Sequence, residues 1–333
     1  PPTRAPTASP TPAPTIAISP TVTPPPALKV LWRTSFDGPI GALTVDSGRV
    51  FVGIGQGNPG PDAMGGADVG LVVALSATSG ERLWTHDLWQ RPMTTTAVSL
   101  QPVSETLFLG ACEGGLECRP CAGPCRVVAL EVVSGEEQWR YELQRDYLSP
   151  LTAGANAVAF GQGYEQALRV LGADSGKERW AFTDYGAGGI PAPLIVSDTV
   201  YVYLPVGGFG ESTAVWAFDV TTGKERWQTE LGGHSSGHQP VVAGGTLYAI
   251  TYELHGQRLC ALDANTGKQR WTASPDFAQL DYRTLYADGV PGGMVYAASG
   301  RILYAFAAAG GKLRWQVQVP CCGGIILGVI ADA

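Results

Sequence analysis

Apolar and polar positions follow one repeating scheme along most of the chain. A short run of Val, Leu, Tyr and Ala ends in a Gly-containing break, and a Trp stands four residues after the Gly. The copies are ALSATSGERLW (Gly80, Trp84), ALEVVSGEEQW (Gly135, Trp139), VLGADSGKERW (Gly176, Trp180), AFDVTTGKERW (Gly223, Trp227), ALDANTGKQRW (Gly267, Trp271) and AFAAAGGKLRW (Gly311, Trp315). Successive Trp residues lie 41 to 55 positions apart, a period that suits a four-stranded propeller blade better than a pair of solenoid helices. The runs are short, rich in β-formers and separated by Gly, Asp and Ser, and none sustains a helical period. The stretch after Trp227 predicts a whole blade: QPVVAG as inner strand, TLYAITY as second, RLCALDA as third, an NTG turn, and KQRWTAS as outer strand.

Each position of the repeat has a physical task. The turn Gly supplies a positive φ that would strain most residues. The Ser or Thr before it (Ser79, Ser134, Ser175, Thr222, Thr266) can bond the turn amides. The small residue six before Gly (Ala74, Ala129, Ala217, Ala261, Ala305) is expected to leave room for a neighbouring blade. The Trp offers a broad apolar face and one N–H donor, suited to docking on that neighbour. Trp32, in LKVLWRTS, reads as a seventh outer-strand Trp without a preceding Gly turn.

The pattern resembles the tryptophan-docking motif, Ala-x-Asp-x-x-Thr-Gly-x-x-x-Trp, of the PQQ-like (quinoprotein- and BamB-type) β-propeller superfamily. The resemblance covers about residues 27–333. Its motif Asp survives only as Asp219 and Asp263, with Ser76, Glu131, Gly172 and Ala307 elsewhere. It implies an all-β chain: a β-propeller of four-stranded antiparallel blades, six complete and a partial seventh, most simply a seven-bladed ring. The superfamily includes quinoprotein alcohol dehydrogenases, outer-membrane assembly factors and sensor domains of receptor kinases, so it leaves function open.

Composition narrows the classes. A chain of 333 residues with 45% hydrophobic content can bury a large core as one domain. A net charge of −7, and four of five lysines (Lys177, Lys224, Lys268, Lys312) placed beside turn glycines, argue against a nucleic-acid partner. No run approaches the roughly 20 apolar residues that span a bilayer. Residues 1–26, PPTRAPTASPTPAPTIAISPTVTPPP, are a separate material, a Pro/Thr-rich stalk or tail of extended character and a candidate for O-glycans. With no opening Met and no signal peptide, the chain reads as a processed or excised piece of an exported protein. The expected location is extracytoplasmic: cell surface, secreted or periplasmic.

Counting strands leaves the seventh blade short, with an outer strand at Trp32 and an inner strand after Trp315. Three readings stand. The blade is small or the sequence truncated; the tail segment Thr15, Ile16, Ala17, Ile18, Ser19 completes it within its own chain; or that segment completes a neighbour's blade, as open sheet edges invite.

Candidate chemistry is sparse. Cys112, Cys118, Cys121 and Cys125 sit in an insertion between the second and third strands of blade two. Short thiolate spacing suits zinc or an iron–sulfur cluster, but in an exported protein it reads more simply as disulfides, with Cys112 to Cys125 across the loop base as the expected pair. The adjacent Cys321 and Cys322 match the vicinal disulfide that the resemblance associates with a quinone cofactor. The Asp and Arg that follow it in that family are replaced by CCGGIILG, so a disulfide without cofactor is the expectation. Cys260 reads as a small buried hydrophobe. His234 and His238 share a Gly/Ser-rich outer-to-inner loop with no clustered carboxylate, and neither His86 nor His255 suggests chemistry. No phosphate loop or hydrolase motif is present.

The long connections are more telling. Gly55–Gly70, Cys112–Cys125 and Pro205–Thr213 join second to third strands; the loops of His234–His238 and Cys321–Cys322 join outer to inner strands. In an up-and-down blade all five emerge on one face, which becomes the candidate contact surface. The reading is therefore a non-enzymatic exported propeller that uses no cofactor or metal. It would work as a protein–protein scaffold or surface-assembly subunit, with filament formation and self-assembly through the tail as one form. The alternatives are a quinoprotein-type oxidoreductase using PQQ, and a ligand-sensing ectodomain of a membrane receptor or kinase.

Overall fold

The computed structural model describes residues 30–38, 40–54, 70–88, 95–113, 124–144, 148–163, 167–183, 192–206, 212–235, 239–253, 256–274, 282–287, 293–299 and 302–318. Among these residues every regular element is a β-strand. Blade one is β1 (Ile40–Asp46), β2 (Arg49–Ile54), β3 (Leu71–Ser76) and β4 (Arg82–Asp87). Blade two is β5 (Thr95–Val103), β6 (Thr106–Glu113), β7 (Cys125–Glu131) and β8 (Glu137–Leu143). Blade three is β9 (Thr152–Gly154), β10 (Ala157–Gln162), β11 (Ala167–Gly172) and β12 (Glu178–Phe182). Blade four is β13 (Leu194–Val196), β14 (Thr199–Val206), β15 (Ser212–Asp219) and β16 (Glu225–Glu230). Blade five holds β17 (His234–Ser235), β18 (Val241–Ala243), β19 (Thr246–Glu253), β20 (Gly256–Asp263) and β21 (Gln269–Ala273). Blade six is β22 (Tyr282–Ala287), β23 (Met294–Ser299), β24 (Ile302–Ala307) and β25 (Leu313–Gln318). Consecutive strands pair antiparallel, as a meander of short connections requires, except that in blade five β17 and β18 both pair with β19.

Burial explains the strand sequences. The second and third strands of blade one, RVFVGI and LVVALS, are buried on nearly every residue, because a sheet covered on both faces needs apolar side chains on both. The outer strand RLWTHD buries only its Trp fully and exposes charged neighbours, which guards the blade's edge against further pairing. Between blades lie continuous cores. Phe51, Val72, Ala74 and Trp84 of blade one meet Leu107, Leu109, Val128 and Leu130 of blade two, and equivalent clusters join blades two to three, three to four, four to five and five to six. A sixth cluster covers the opposite face of blade one, where Trp32 and Phe36 lie against Val50, Val52, Val73 and Leu75.

The two ends of the ring differ. Inner-to-second hairpins are tight: Ser47–Gly48, Ala155–Asn156 and Gly244–Gly245 all have both φ values between +46° and +74°, the conformation a two-residue hairpin needs to match strand twist. The third-to-fourth turns lie at the same end. Longer connections between Ile54 and Leu71, Glu113 and Cys125, and Val206 and Ser212 leave from the other end. One departure from expectation falls there. His234 belongs to a short strand, paired His234 to Tyr252 and Ser235 to Thr251, because β19 runs past its inner partner β18 and offers a free edge.

The described residues thus form six blades, five of four strands and one of five, and leave a seventh position between blade six and blade one of a seven-bladed ring. Residues 30–36 occupy that position beside blade one but belong to none of the six sheets. The Trp32 indole is docked on blade one as the repeat leads one to expect, and its backbone joins no described ladder.

Candidate functional site

The Gly–Trp repeat resolves into one docking rule. Each indole lies against the turn Gly of the next blade: Trp32 on Gly80, Trp84 on Gly135, Trp139 on Gly176, Trp180 on Gly223, Trp227 on Gly267 and Trp271 on Gly311. Each indole N–H donates to the carbonyl three residues before that Gly, at 2.8–3.1 Å, the acceptors being Ala77, Val132, Ala173, Val220, Ala264 and Ala308. All six glycines have φ between +65° and +74°. A Cβ on Gly135 would stand 2.6 Å from Trp84 Cδ2. Gly is therefore fixed twice, by a left-handed backbone and by ring contact.

A bulge aims the Trp. In every blade the third-to-outer register shifts immediately after the small motif residue, as between Ala74 and Leu75 or Ala261 and Leu262. The extra residue on the outer strand is the one before Trp, and the added local twist turns the ring toward the next blade. The small residue has a different task from the one its spacing suggested. Ala74, Ala129, Ala217, Ala261 and Ala305 pair across the ladder with the Trp of their own blade, so the room they leave is for that ring. On their other side the second strand supplies an aromatic. Phe51, Phe108, Tyr201, Tyr248 and Tyr296 have ring centroids 5.9 Å from Trp84, Trp139, Trp227, Trp271 and Trp315. Blade three inverts the sizes: Val170 replaces the Ala and Ala159 the aromatic, and Trp180 instead meets Phe218 of blade four at 5.8 Å.

The turns carry their own polar chemistry. Asp219 Oδ1 accepts from the Thr221 and Thr222 amides and the Thr222 hydroxyl, and Asp263 does the same for Asn265 and Thr266. The bulge residue closes these turns: Arg226 and Arg270 each bond their Asp Oδ2 at 2.7 Å. The Arg226 guanidinium, with the Thr222 bonds, holds Asp219 well below the usual carboxylate range. Arg270 and Thr266 bring Asp263 from 3.8 to about 2. Where the Asp is missing, Ser76 and Glu131 accept from the Ser79 and Ser134 amides, and Arg179 turns to the Asn156 carbonyl.

On the looped end, Cys112 and Cys125 are a cross-strand pair of β6 and β7 and form a disulfide. Both are buried in the core between blades two and three. The bond staples the base of the connection that carries Cys118 and Cys121, which lie outside the described residues. Beside it, Arg126 donates to the Leu88 carbonyl where blade one's outer strand ends, and Arg258 donates to Leu231 in the same way between blades four and five. Two inter-blade clasps thus stiffen the looped end. His86, half-buried near Glu137 of blade two at 3.7 Å, has its pKa lowered by burial. Cys260 is buried between blades four and five. Cys321, Cys322, His238, His255 and the tail segment Thr15–Ser19 lie outside the described residues.

Among the seven described docking Trp residues, Trp315 is the exposed one. Trp84 and Trp227 are 8% exposed, whereas Trp315 is 43% exposed and Leu313 and Val317 beside it are also open. Across the same space, Leu43 and Val45 of β1 are 61% and 60% exposed. They are register partners of Val52 and Val50 and so point away from blade two. Among the described residues, these apolar side chains of β25 and β1 border the seventh position.

A quinone cofactor with its metal ion would need clustered oxygen or nitrogen ligands near the ring axis. Among the described residues no three His, Cys, Asp or Glu side chains come together to hold an ion. Nor is any described helix long and apolar enough to cross a membrane.

Comparison with known proteins follows the same lines. No curated protein sequence matches the chain. Among solved structures, BamB from Moraxella catarrhalis superposes with a TM-score of 0.62 at 16% identity, over 91% of this chain and 83% of that one. A quinohemoprotein alcohol dehydrogenase from Comamonas testosteroni gives 0.57 at 14%, over 86% of this chain and 60% of its own. The enzyme ADHIIG from Pseudomonas putida HK5 gives 0.53 at 14%, over 83% and 58%. At such identities the likeness shows the fold alone. The model of the family "outer membrane protein assembly factor BamB" matches residues 28–147, 68–237 and 164–321, spanning the repeats in overlapping windows. The chain belongs to that family of PQQ-like β-propellers.

Proposed function

We propose that the protein is a non-enzymatic, exported scaffold that works by protein–protein contact through the looped end of its propeller, as a surface-assembly subunit. One observation carries the reading: the long second-to-third connections all leave from one end of a rigid ring, while the other end keeps tight hairpins. Loops on a stiff scaffold are the usual seat of recognition. The Cys112–Cys125 disulfide supports export, since such bonds persist in oxidising compartments, and relatives named as assembly factors support a protein partner. The test is paired loop surgery. Replacing residues 56–69 or 114–123 by short Gly/Ser linkers should leave the ring folded and abolish cross-linking to its partner. Altering the Ser47–Gly48 hairpin at the opposite end should leave cross-linking intact. The reverse pattern refutes the reading.

A quinoprotein oxidoreductase is the second reading, favoured by the dehydrogenases that share the fold. It predicts alcohol- or sugar-dependent dye reduction once quinone and calcium are added. The expected result is none.

A further inference from the structure

Among the described residues, the tight-hairpin end of the ring carries only short turns, including the third-to-outer turns of all six blades. The residue after the turn Gly holds the same place in each blade, because the frame around it is constant. Every one of these glycines is left-handed, and its N–H donates to the carbonyl four residues earlier at 2.8–2.9 Å. That place is taken by Glu81 and Glu136 in blades one and two, and by Lys177, Lys224, Lys268 and Lys312 in blades three to six. All six residues are exposed. The described ion pairs run through His86, Arg126, Arg140, Arg169, Arg226 and Arg270 and include none of these six.

The next residue refines the pattern. It is Arg82 in blade one, Glu137 in blade two, Glu178 and Glu225 in blades three and four, and Gln269 and Leu313 in blades five and six. Glu137 and Glu178 are also bonded within their own blades, to Arg140 and Arg169. Blade two is therefore doubly acidic at these two places, blades one, three and four carry both signs, and blades five and six are basic only. Copies of a chain with net charge −7 repel one another at random orientation, so attraction needs a specific one. Turning a second ring over about a two-fold axis between blades three and four lays one on six, two on five and three on four. Glu81 then faces Lys312, Glu136 faces Lys268, and the Lys–Glu turns of blades three and four face each other with signs opposed. The exposed Leu83 of blade one lies over the blade that carries the exposed Leu313.

We propose that two copies of the chain stack through their tight-hairpin ends about this two-fold axis. The contact is isologous, so each complementary pair occurs twice and the assembly closes at two copies. Charge pairs of this kind set orientation and partner choice more than raw affinity. Both looped ends face outward, which gives the scaffold proposed above two opposed recognition faces. The stacking itself does not depend on what those faces bind.

Light scattering on the full chain tests it. In low salt the wild type should show twice the mass of one chain, and its dimer affinity should fall on the order of tenfold or more between roughly 0.05 and 0.5 M salt. Lys268→Glu/Lys312→Glu makes both sectors acidic and Glu81→Lys/Glu136→Lys makes both basic, so each variant should be monomeric alone. All four positions are exposed on turns, so the fold should hold, as circular dichroism will check. An equimolar mixture of the two variants should give a one-to-one complex, because those pairs are again of opposite sign. Carbodiimide coupling of wild type should join Glu81 to Lys312 and Glu136 to Lys268 across chains. A wild type that is monomeric in low salt, reversed variants that still self-associate, a mixture that stays monomeric, or coupling between other pairs overturns the proposal. A monomeric wild type that keeps partner cross-linking through its looped end overturns stacking while leaving the scaffold reading standing.

Discussion

At the scale of single residues, the docking geometry separates positions that look alike in sequence. Gly245 and Gly267 both have φ near +70°, but a Cβ at Gly245 meets nothing within 4 Å, whereas at Gly267 it meets Trp227 and Thr229. Gly245→Ala should cost only the left-handed backbone term, ~1–2 kcal/mol. Gly267→Ala should cost clearly more, because ring and turn cannot both stay in place. Equal losses in denaturant melts would show that the indole contact contributes nothing. The Trp residues should likewise split. Trp84→Ala and Trp227→Ala remove nearly buried rings and should cost about 3–5 kcal/mol, while Trp315→Ala, at an exposed ring, should cost far less. Acid should act through the turns. The Asp263 pKa is depressed, so its contribution is complete above the ordinary 3.8 and is lost as pH falls through about 2. Asp219 adds in the same direction. The double variant Asp219→Asn/Asp263→Asn should therefore flatten the fall of melting temperature with acid; an unchanged slope would argue against the two turns.

Between residue and ring lies the hairpin, and at that scale the sequence was legible in part. The Gly-to-Trp spacing is constant because a tight turn and a bulge fix it, so six blades could be read from it directly. The aromatic that backs each Trp could not. Phe51 lies 33 positions before Trp84 and Tyr296 only 19 before Trp315, because second-to-third connections vary in length while the ladder register does not. The Arg126 and Arg258 clasps escaped notice for the same reason, their partners Leu88 and Leu231 belonging to the preceding blade. The Cys112–Cys125 bond was legible because both residues flank one hairpin. Removing it with Cys112→Ala/Cys125→Ala should lower stability by about 3 kcal/mol through the freed unfolded chain. The expected sign is a lower melting temperature that no longer responds to reductant.

For the whole molecule, stability should run unevenly around the ring. Blades two to five are sandwiched by described neighbours, whereas the outer strand β25 of blade six is exposed along its length, and strands with few buried contacts open first. Hydrogen exchange on dilute protein should find the amides of β10, β14 and β15 slowest and those of β25 among the fastest. Protection of β25 equal to that of β14 would argue against this gradient.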